Sequence, residues 1–257
     1  MRSAAYPSPA RLAAAQIPAG PPIPVMRDGR LPEHGGVRIR LMEPDDLPFV
    51  VAEHLGHFPE GFFARLGPRF LAAYNRAYLT SPDARAYTAE TGGQPVGFLV
   101  GVTDPAAHRR HVLRDHGRGL LLRALGSLCV RPRLAVHFIR TRLARYCRKL
   151  IPHRAARQAP AGAPSGVTAV LAHVVVAEHA RSRGIGAALI ARFVEDAADA
   201  DCARVTLVTV AEGGAGPYYE WLGWLRQGET RTPDGRRLLT YDFPLNGLNG
   251  IPAPRQS

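Results

Sequence analysis

Arginine and glycine are combined in one short stretch of the chain, ARSRGIGAAL at residues 180–189. Glycine has no Cβ, so backbone N–H groups near Gly184 and Gly186 can approach an anion closely. The apolar run that follows predicts a helix, whose first turn leaves N–H donors unpaired and whose dipole favours negative charge. Arg181 and Arg183 add side chains that can bind phosphate through paired hydrogen bonds. The pattern therefore predicts a phosphate-binding loop between a strand and a helix.

Two widespread phosphate-binding motifs do not fit this stretch. A dinucleotide-binding loop needs G-x-G-x-x-G, and Ser182 stands where its first glycine would be. A Walker loop needs G-K-[ST], which does not occur in the sequence. A glycine-rich turn that binds nothing remains an alternative interpretation, because a short glycine match has low specificity.

The loop lies within an alternation of strands and helices. β-branched residues from Val167 onwards predict a strand before the loop, and residues 186–201 predict a helix after it. RVTLVTV at 204–210 is typical of a buried strand. The other predicted elements are a strand in 37–46, helices in 45–58, 60–81, 119–130, 133–150 and 216–225, a hairpin in 84–104 turning at 91–93, and a last hairpin turning at 233–235.

A second motif, AGPYYEWLGW at 215–224, follows the strand at 204–210. Together with VVVAEHARSRGIGAAL, it resembles the signature of the GNAT superfamily, the Gcn5-related N-acetyltransferases. That family has a [QR]-x-x-G-x-[GA] loop and a later helix that often reads F-Y-E-K-L-G-F. The resemblance implies an α/β (α+β) GNAT fold, with a mixed, mostly antiparallel sheet splayed between its fourth and fifth strands. A basic helical insertion would lie between the third and fourth strands.

The resemblance also implies a division of the chain. Residues 37–245 would form the acetyltransferase domain, and 105–166 within it would be the arginine-rich helical insertion and its linker. Residues 1–36 are rich in Ala, Pro and Gly without an amphipathic period and predict a disordered leader, with translation starting at Met1 or Met26. Residues 246–257 predict a disordered tail.

Roles for individual residues follow from the same resemblance. The loop would wrap the pyrophosphate of acetyl-CoA with Arg181, Ser182, Arg183, Gly184, Ile185, Gly186 and Ala187. The strand that pairs with pantetheine would contain Val174, Val175 and Val176, with the N–H of Val176 donating to the thioester carbonyl. Tyr219 would protonate the departing thiolate, and packing in the core is the alternative role for it. Two positions depart from the family pattern: Glu178 replaces a frequent proline, and Glu212 replaces a frequent asparagine.

The residue that takes the proton from the acceptor amine is not fixed by the motif. His173 lies on the strand beside the expected thioester, and histidine titrates in the useful range, which makes it the first candidate for a catalytic base. A satisfied core histidine is the alternative interpretation. His54, His57 and Glu60 fall in the helix-loop-helix region that usually shapes the acceptor site and are further candidates. No residue cluster predicts a metal site.

Positive charge is concentrated in one segment. The formal net charge is +12, and residues 105–160 contain thirteen arginines and one lysine against the single acid Asp115. A solvated basic face is one interpretation. The functional interpretations, in order of preference, are an anionic small-molecule acceptor, an anionic membrane surface bound through the 118–150 helices, and RNA. RNA comes last because Phe138 and Tyr146 are the only aromatic residues available for stacking.

Cysteine usage favours a reducing compartment. Cys129, Cys147 and Cys202 are scattered without C-x-x-C spacing, which argues against a disulfide framework or a zinc site. No apolar run suggests a signal peptide or a membrane span. The sequence thus predicts a cytoplasmic enzyme that moves an acetyl group from acetyl-CoA to a primary amine of a small, anionic acceptor by direct attack. A protein N-acetyltransferase and a non-catalytic CoA-binding regulatory or membrane-surface module are the alternatives.

Overall fold

A computed structural model of the chain describes residues 36–131, 136, 166–232 and 235–245. The predicted leader (1–36, except Gly36), the predicted tail at 246–257 and most of the helix predicted over 133–150 lie outside these residues, as does most of the linker that follows that helix. Elements are numbered below in chain order over the described residues.

A seven-stranded sheet forms the centre of the fold, in the order β1-β2-β3-β4-β5-β7-β6. All neighbouring strands are antiparallel except β4 and β5, which are parallel. This mixed sheet confirms the predicted fold class. The strands are β1 (Val37–Leu41), β2 (Ala84–Thr91), β3 (Gln94–Val102), β4 (Thr168–Val176), β5 (Arg204–Val210), β6 (Leu225–Arg231) and β7 (Arg237–Pro244).

Helices cover both faces of the sheet, so successive residues of the central strands are buried on opposite sides. On one face, Leu99 of β3 packs with Leu189 and Phe193 in the larger core cluster. On the other face, the neighbouring Phe98 packs with Val50 and Tyr78. The helices are α1 (Leu47–His57), α2 (Phe62–Arg65), α3 (Pro68–Thr80), α4 (Pro105–His111), α5 (Gly117–Cys129), α6 (Ile185–Asp199) and α7 (Gly216–Trp221).

The single helix predicted over 60–81 is wrong, because the chain breaks between α2 and α3. Gly67 has a left-handed φ of +97°, and Pro68 occupies the first turn of α3. Glycine adopts this conformation without the steric cost that a Cβ would bring, and proline is suited to a helix start but not to a helix interior. The amphipathic pattern continued through the break and concealed it.

The helices between β3 and β4 begin earlier than the sequence suggested. Asp104 caps α4, and its Oδ1 accepts hydrogen bonds from the N–H groups of Ala106 and Ala107 at 2.8 and 2.9 Å. A π-helical turn over Val112–His116 joins α4 to α5. The helix predicted over 119–130 is confirmed as α5, and α4 precedes it in a part of the predicted helical insertion for which the sequence predicts no individual helix.

The parallel strands β4 and β5 pair along only part of their length. Pairing runs from Thr168–Arg204 to Leu171–Leu207, and beyond this point the two strands separate. The predicted splay between the fourth and fifth strands is therefore present. It opens the sheet at the carboxyl ends of both strands, next to the start of α6.

Candidate active site

A cleft of about 500 Å³ occupies the space between the separated ends of β4 and β5. Because the strands no longer pair there, their backbone groups on the facing sides are available to a ligand. The loops before α6 and α7 and the end of α1 complete the walls. The lining residues are His57, Phe58, 171–176, Arg181, 207–210, Gly213, Ala215 and Tyr219.

The backbone of β4 presents Val176 to this cleft. The N–H of Ala177 donates to the carbonyl of Val96 in β3 at 2.9 Å. Backbone groups of successive residues point to opposite sides of a strand, so the N–H and C=O of Val176 point away from β3 and into the cleft. By the same alternation Val174 faces the cleft, whereas the carbonyl of Val175 lies against Gly97 of β3. Of the three predicted valines, two thus offer backbone groups to a ligand.

The predicted phosphate-binding loop follows β4 at the mouth of the cleft. A short 3-10 turn over Glu178–Ala180 leads into it, and α6 starts at Ile185. Gly184 has a left-handed φ of +75°, and Ser182 adopts the same region with φ of +61° although it is not glycine. The first N–H groups of any helix lack intrahelical partners, and Gly184 has no side chain to cap those of the 15-residue helix α6.

Space at Gly186 is restricted by neighbouring side chains. A Cβ at this position would lie 3.0 Å from the hydroxyl of Tyr218 and 3.7 Å from the side chain of Val176. A larger residue would therefore fill the space where the loop, β4 and α7 meet. Ile185 is buried in the core beneath the loop, so it can contribute its backbone but not its side chain to a ligand.

The two loop arginines have different environments. Arg183 is exposed, whereas Arg181 lines the cleft. The Nε of Arg181 donates to the carbonyl of Val176 at 3.2 Å, and its Nη2 contacts Nε2 of His57 in α1. Arg181 thus connects β4 to α1 across the cleft mouth, an arrangement that the motif alone does not predict.

Tyr219 lies on α7 with 8% of its surface exposed and lines the cleft. Its ring packs edge-on against Trp224, with centroids 5.9 Å apart, and lies 6.0 Å from Tyr241. Burial, together with a smaller effect of the neighbouring Tyr218, raises the pKa of Tyr219 to about 12. The phenol is therefore in its protonated, hydrogen-bond-donating form throughout the neutral range.

His173 lines the cleft but does not have the pKa expected of a base. Burial lowers its pKa to about 3, helped by His54, whose ring lies 4.7 Å away. This lowered pKa differs from the expectation that His173 titrates near neutrality, and the difference arises because α1 packs against β4 and places His54 beside the ring. A neutral imidazole can accept a hydrogen bond but holds a proton poorly.

Two residues, His54 of α1 and Phe58 directly after it, contact the ring of His173. His54 is 3% exposed, its Nδ1 has no hydrogen-bond partner among the described residues, and burial lowers its pKa to about 4. Phe58, which sequence reasoning did not single out, has its ring 5.4 Å from that of His173. Glu60 is exposed and does not line the cleft. This side of the cleft is therefore aromatic, and none of the described lining residues of the cleft carries a carboxylate.

The two departures from the family motif lie outside the cleft. Glu212 forms an ion pair with Arg237, with 3.0 Å between its Oε1 and the arginine Nε. Glu178 is largely exposed and lies 3.9 Å from Arg181. Neither carboxylate lines the cleft. Within the described ranges no group of three or more His, Cys, Asp or Glu residues could hold a metal ion.

Comparison with known proteins gives a family match. Residues 51–224 match the model of the acetyltransferase (GNAT) family. A search of curated proteins gives no match. Among the helices of the described residues, none is long and apolar enough to cross a membrane.

Solved structures share the fold at low sequence identity. An N-acetyltransferase from Staphylococcus aureus Mu50 is 13% identical, and the match covers 81% of this chain and 98% of that chain with a TM-score of 0.50. The ribosomal-protein-S18-alanine N-acetyltransferase from Escherichia coli is 14% identical, with coverages of 86% and 99% and a TM-score of 0.46. NAA60 from Arabidopsis thaliana, in complex with acetyl-CoA, is 15% identical, with coverages of 82% and 99% and a TM-score of 0.49. Since the family model spans most of the sheet, α6 and α7, the chain belongs to the acetyltransferase (GNAT) family.

Proposed function

We propose that the chain transfers an acetyl group from acetyl-CoA to the primary amine of a small acceptor by direct attack, without a covalent enzyme intermediate. The observation that carries this proposal is the cleft itself. An open strand edge and a buried tyrosine line it, and the glycine-containing start of α6 lies beside it, where a Cβ on Gly186 would be 3.7 Å from the side chain of Val176. Acetyl-CoA supplies a pyrophosphate for the helix start, amides for the strand edge and an activated acetyl thioester.

The glycines of the loop fit the cofactor that the family uses. Backbone N–H groups of residues 184–187, at the start of α6, would bind the pyrophosphate, and the dipole of α6 would favour its charge. Gly186 leaves the space that a Cβ would fill, and Arg183 is exposed beside the loop. Arg181 would keep its contact with Val176 or turn towards the phosphates.

Different residues of the cleft contribute to different parts of the acetyl transfer. The amine nitrogen forms a bond to the thioester carbon while the carbon–sulfur bond breaks. The N–H of Val176 donates a hydrogen bond to the carbonyl oxygen as its negative charge develops. Tyr219 donates a hydrogen bond to the departing sulfur. His173 is neutral and orients the amine by accepting a hydrogen bond, and the released proton passes to water.

The acceptor preferred on sequence grounds was anionic, because of the arginine-rich segment. None of the described arginines of that segment lines the cleft, and Arg181 is the one arginine among the lining residues. His57, Phe58 and His173 form the aromatic acceptor side instead. We therefore place the primary amine, rather than an anionic group, at the centre of the acceptor proposal.

The free thiols of Cys129 and Cys202 support a reducing, cytoplasmic location.

Calorimetric titration with acetyl-CoA, in parallel with dephospho-CoA, tests the proposal. We expect saturable binding that Gly186→Glu weakens at least about 100-fold, because two unit charges 4 Å apart at a protein surface repel by about 4 kcal/mol. Gly126→Glu is the matched control, since nothing lies within 4 Å of a Cβ at that exposed position of α5.

A panel of amines then separates the candidate activities. Spermidine, amino sugars and peptides with free N-termini would be incubated with acetyl-CoA, and release of the CoA thiol would be followed. Turnover with a small amine supports the proposal. Turnover with peptides alone would identify a protein N-acetyltransferase, and binding without any turnover would identify a non-catalytic CoA-binding module.

A further inference from the structure

The described helices between β3 and β4 pack against the region of α3. Leu120, Ala124 and Leu128 of α5 pack against Leu66, which precedes α3, and Phe70 within it. In addition, the hydroxyl of Ser127 donates to the carbonyl of Leu66 at 2.6 Å. No residue of α4, the π-helical turn or α5 is buried. The other side of these helices thus forms a broad surface of the molecule.

That surface is apolar to a degree unusual for a solvated helix. Leu121, Leu122 and Leu125 lie within little more than one turn of α5, and 59%, 70% and 48% of their surfaces are exposed. Leu113 and Val130 extend the apolar surface at either end, with 57% and 77% exposed. Contiguous exposed apolar side chains of this kind mark a contact surface rather than a solvated one.

The same surface carries a strong positive charge. Six exposed arginines lie between residues 105 and 131, and Asp115 is the only acid in that range. Asp115 is already engaged by Arg114, with 2.8 Å between Oδ1 and Nε, and by His111. The outer helical face is the name used below for the exposed side formed by Arg109, Arg110, Leu113, Arg114, Arg118, Leu121, Leu122, Arg123, Leu125 and Val130.

We propose that the outer helical face docks the protein onto an anionic membrane surface. A bilayer rich in acidic lipids offers negative headgroups for the arginines and, a few ångströms deeper, an apolar layer for the leucines. RNA would satisfy the arginines but not the leucines, and the face has no Phe, Tyr or Trp for base stacking. The segment that sequence reasoning assigned first to acceptor binding thus forms an interaction surface that contributes no described residue to the cleft.

Sedimentation of the full-length chain with vesicles tests this proposal. We expect binding to vesicles of phosphatidylcholine mixed with phosphatidylglycerol, weakening as salt is added, and no binding to phosphatidylcholine alone. Each arginine near such a surface contributes about fivefold to partitioning, so Arg114→Gln, Arg118→Gln and Arg123→Gln together should lower it by about 100-fold. Arg38→Gln, Arg226→Gln and Arg231→Gln remove the same charge from exposed positions on other elements and should have a much smaller effect.

The leucines distinguish membrane docking from simple attraction between charges. Leu122→Ser should weaken vesicle binding severalfold, whereas Leu41→Ser, at a position on β1 that is 65% exposed, should not. Equal binding of the wild type and Leu122→Ser would show that the face binds polyanions generally and would overturn the proposal. Equal binding to neutral and anionic vesicles, or to neither, would also overturn it.

The same protein samples test two alternative occupants of the outer helical face, a second copy of the chain and another part of the same chain. A second copy would give a dimer in analytical ultracentrifugation that Leu122→Ser dissociates, and this result would overturn the proposal. Protection of α5 from hydrogen exchange before vesicles are added would show that another part of the chain covers the leucines, with the same consequence. A monomer whose α5 becomes protected only on anionic vesicles supports membrane docking.

Discussion

Replacing Tyr219 with phenylalanine isolates the contribution of one hydroxyl group. The ring contacts with Trp224 and Tyr241 are retained, so the melting temperature should change little. Burial raises the pKa of Tyr219 to about 12, whereas a thiol leaves with a pKa near 8.5. Complete proton transfer from this phenol to the thiolate is therefore uphill by about 5 kcal/mol. The hydroxyl is expected to act through a hydrogen bond to the charged sulfur.

Such a bond contributes about 1.5–3 kcal/mol, so Tyr219→Phe should lower kcat about 10- to 150-fold. The KM for acetyl-CoA should stay within about twofold, since the bond strengthens only as charge develops on sulfur. The assay is thiol release with the best amine of the panel, over a range of pH. Tyr218→Phe is the comparison on the same helix, and its effect should fall on acetyl-CoA binding, because its hydroxyl lies beside Gly186.

Two outcomes would refute this reasoning. A kcat unchanged in Tyr219→Phe would remove the hydroxyl from the chemistry. A loss above about 10⁴-fold would mean that complete proton transfer occurs and that the pKa falls far below 12 when substrate binds. In addition, the wild-type profile should show no titration of Tyr219 between about pH 6 and pH 9, because its folded pKa lies above that window.

Two further predictions concern the stability of the fold. Asp196 is 7% exposed, and burial raises its pKa from 3.8 to about 6, so the folded state holds the proton more tightly than the unfolded state. The free energy of unfolding should therefore fall by up to about 3 kcal/mol as pH rises through 6. Denaturant titrations at several pH values measure this dependence, and Asp196→Asn should flatten it. Parallel pH curves for the wild type and Asp196→Asn would contradict the prediction. Gly101→Ala should destabilise the fold by about 1–3 kcal/mol through overpacking, because its Cβ would lie 2.4 Å from the Phe193 ring. Thermal unfolding measures this loss of stability. Adding Phe193→Leu to Gly101→Ala should recover part of it. If the stability losses of the two single variants simply add in the double variant, overpacking against Phe193 is not the cause.

The parts of the fold that the sequence predicted are those set by local pattern. The strand at 204–210 was predicted with the bounds observed, because a β-branched run lies between a helix end and a turn. The helix start beside Gly184 and Gly186 was predicted from the apolar run that follows these glycines. The break at Gly67 was missed because apolar residues recur at helical spacing on both sides of it.

The chemistry of individual side chains depended on tertiary contacts that no local pattern reveals. The sequence predicts an ordinary histidine pKa for His173. In the structure, His54 and Phe58 lie against its ring, although both are more than a hundred residues away in the chain. The sequence predicts Arg181 to be a phosphate ligand. Its contacts with Val176 and His57 could not be predicted, because they depend on how α1 lies across β4. Charge counts located the arginine-rich segment but could not show whether it faces the cleft.

The separation of β4 from β5 creates a strand edge inside the sheet. Unpaired strand edges at the outside of a protein can pair with any exposed strand and promote aggregation. Here the edge opens into a cleft of about 500 Å³ whose walls include Arg181 and Tyr219. An extended chain about one strand wide can reach the free backbone groups, whereas a folded sheet cannot. We therefore expect the gap to admit narrow, extended ligands and to limit self-association of the protein through these unpaired backbone groups.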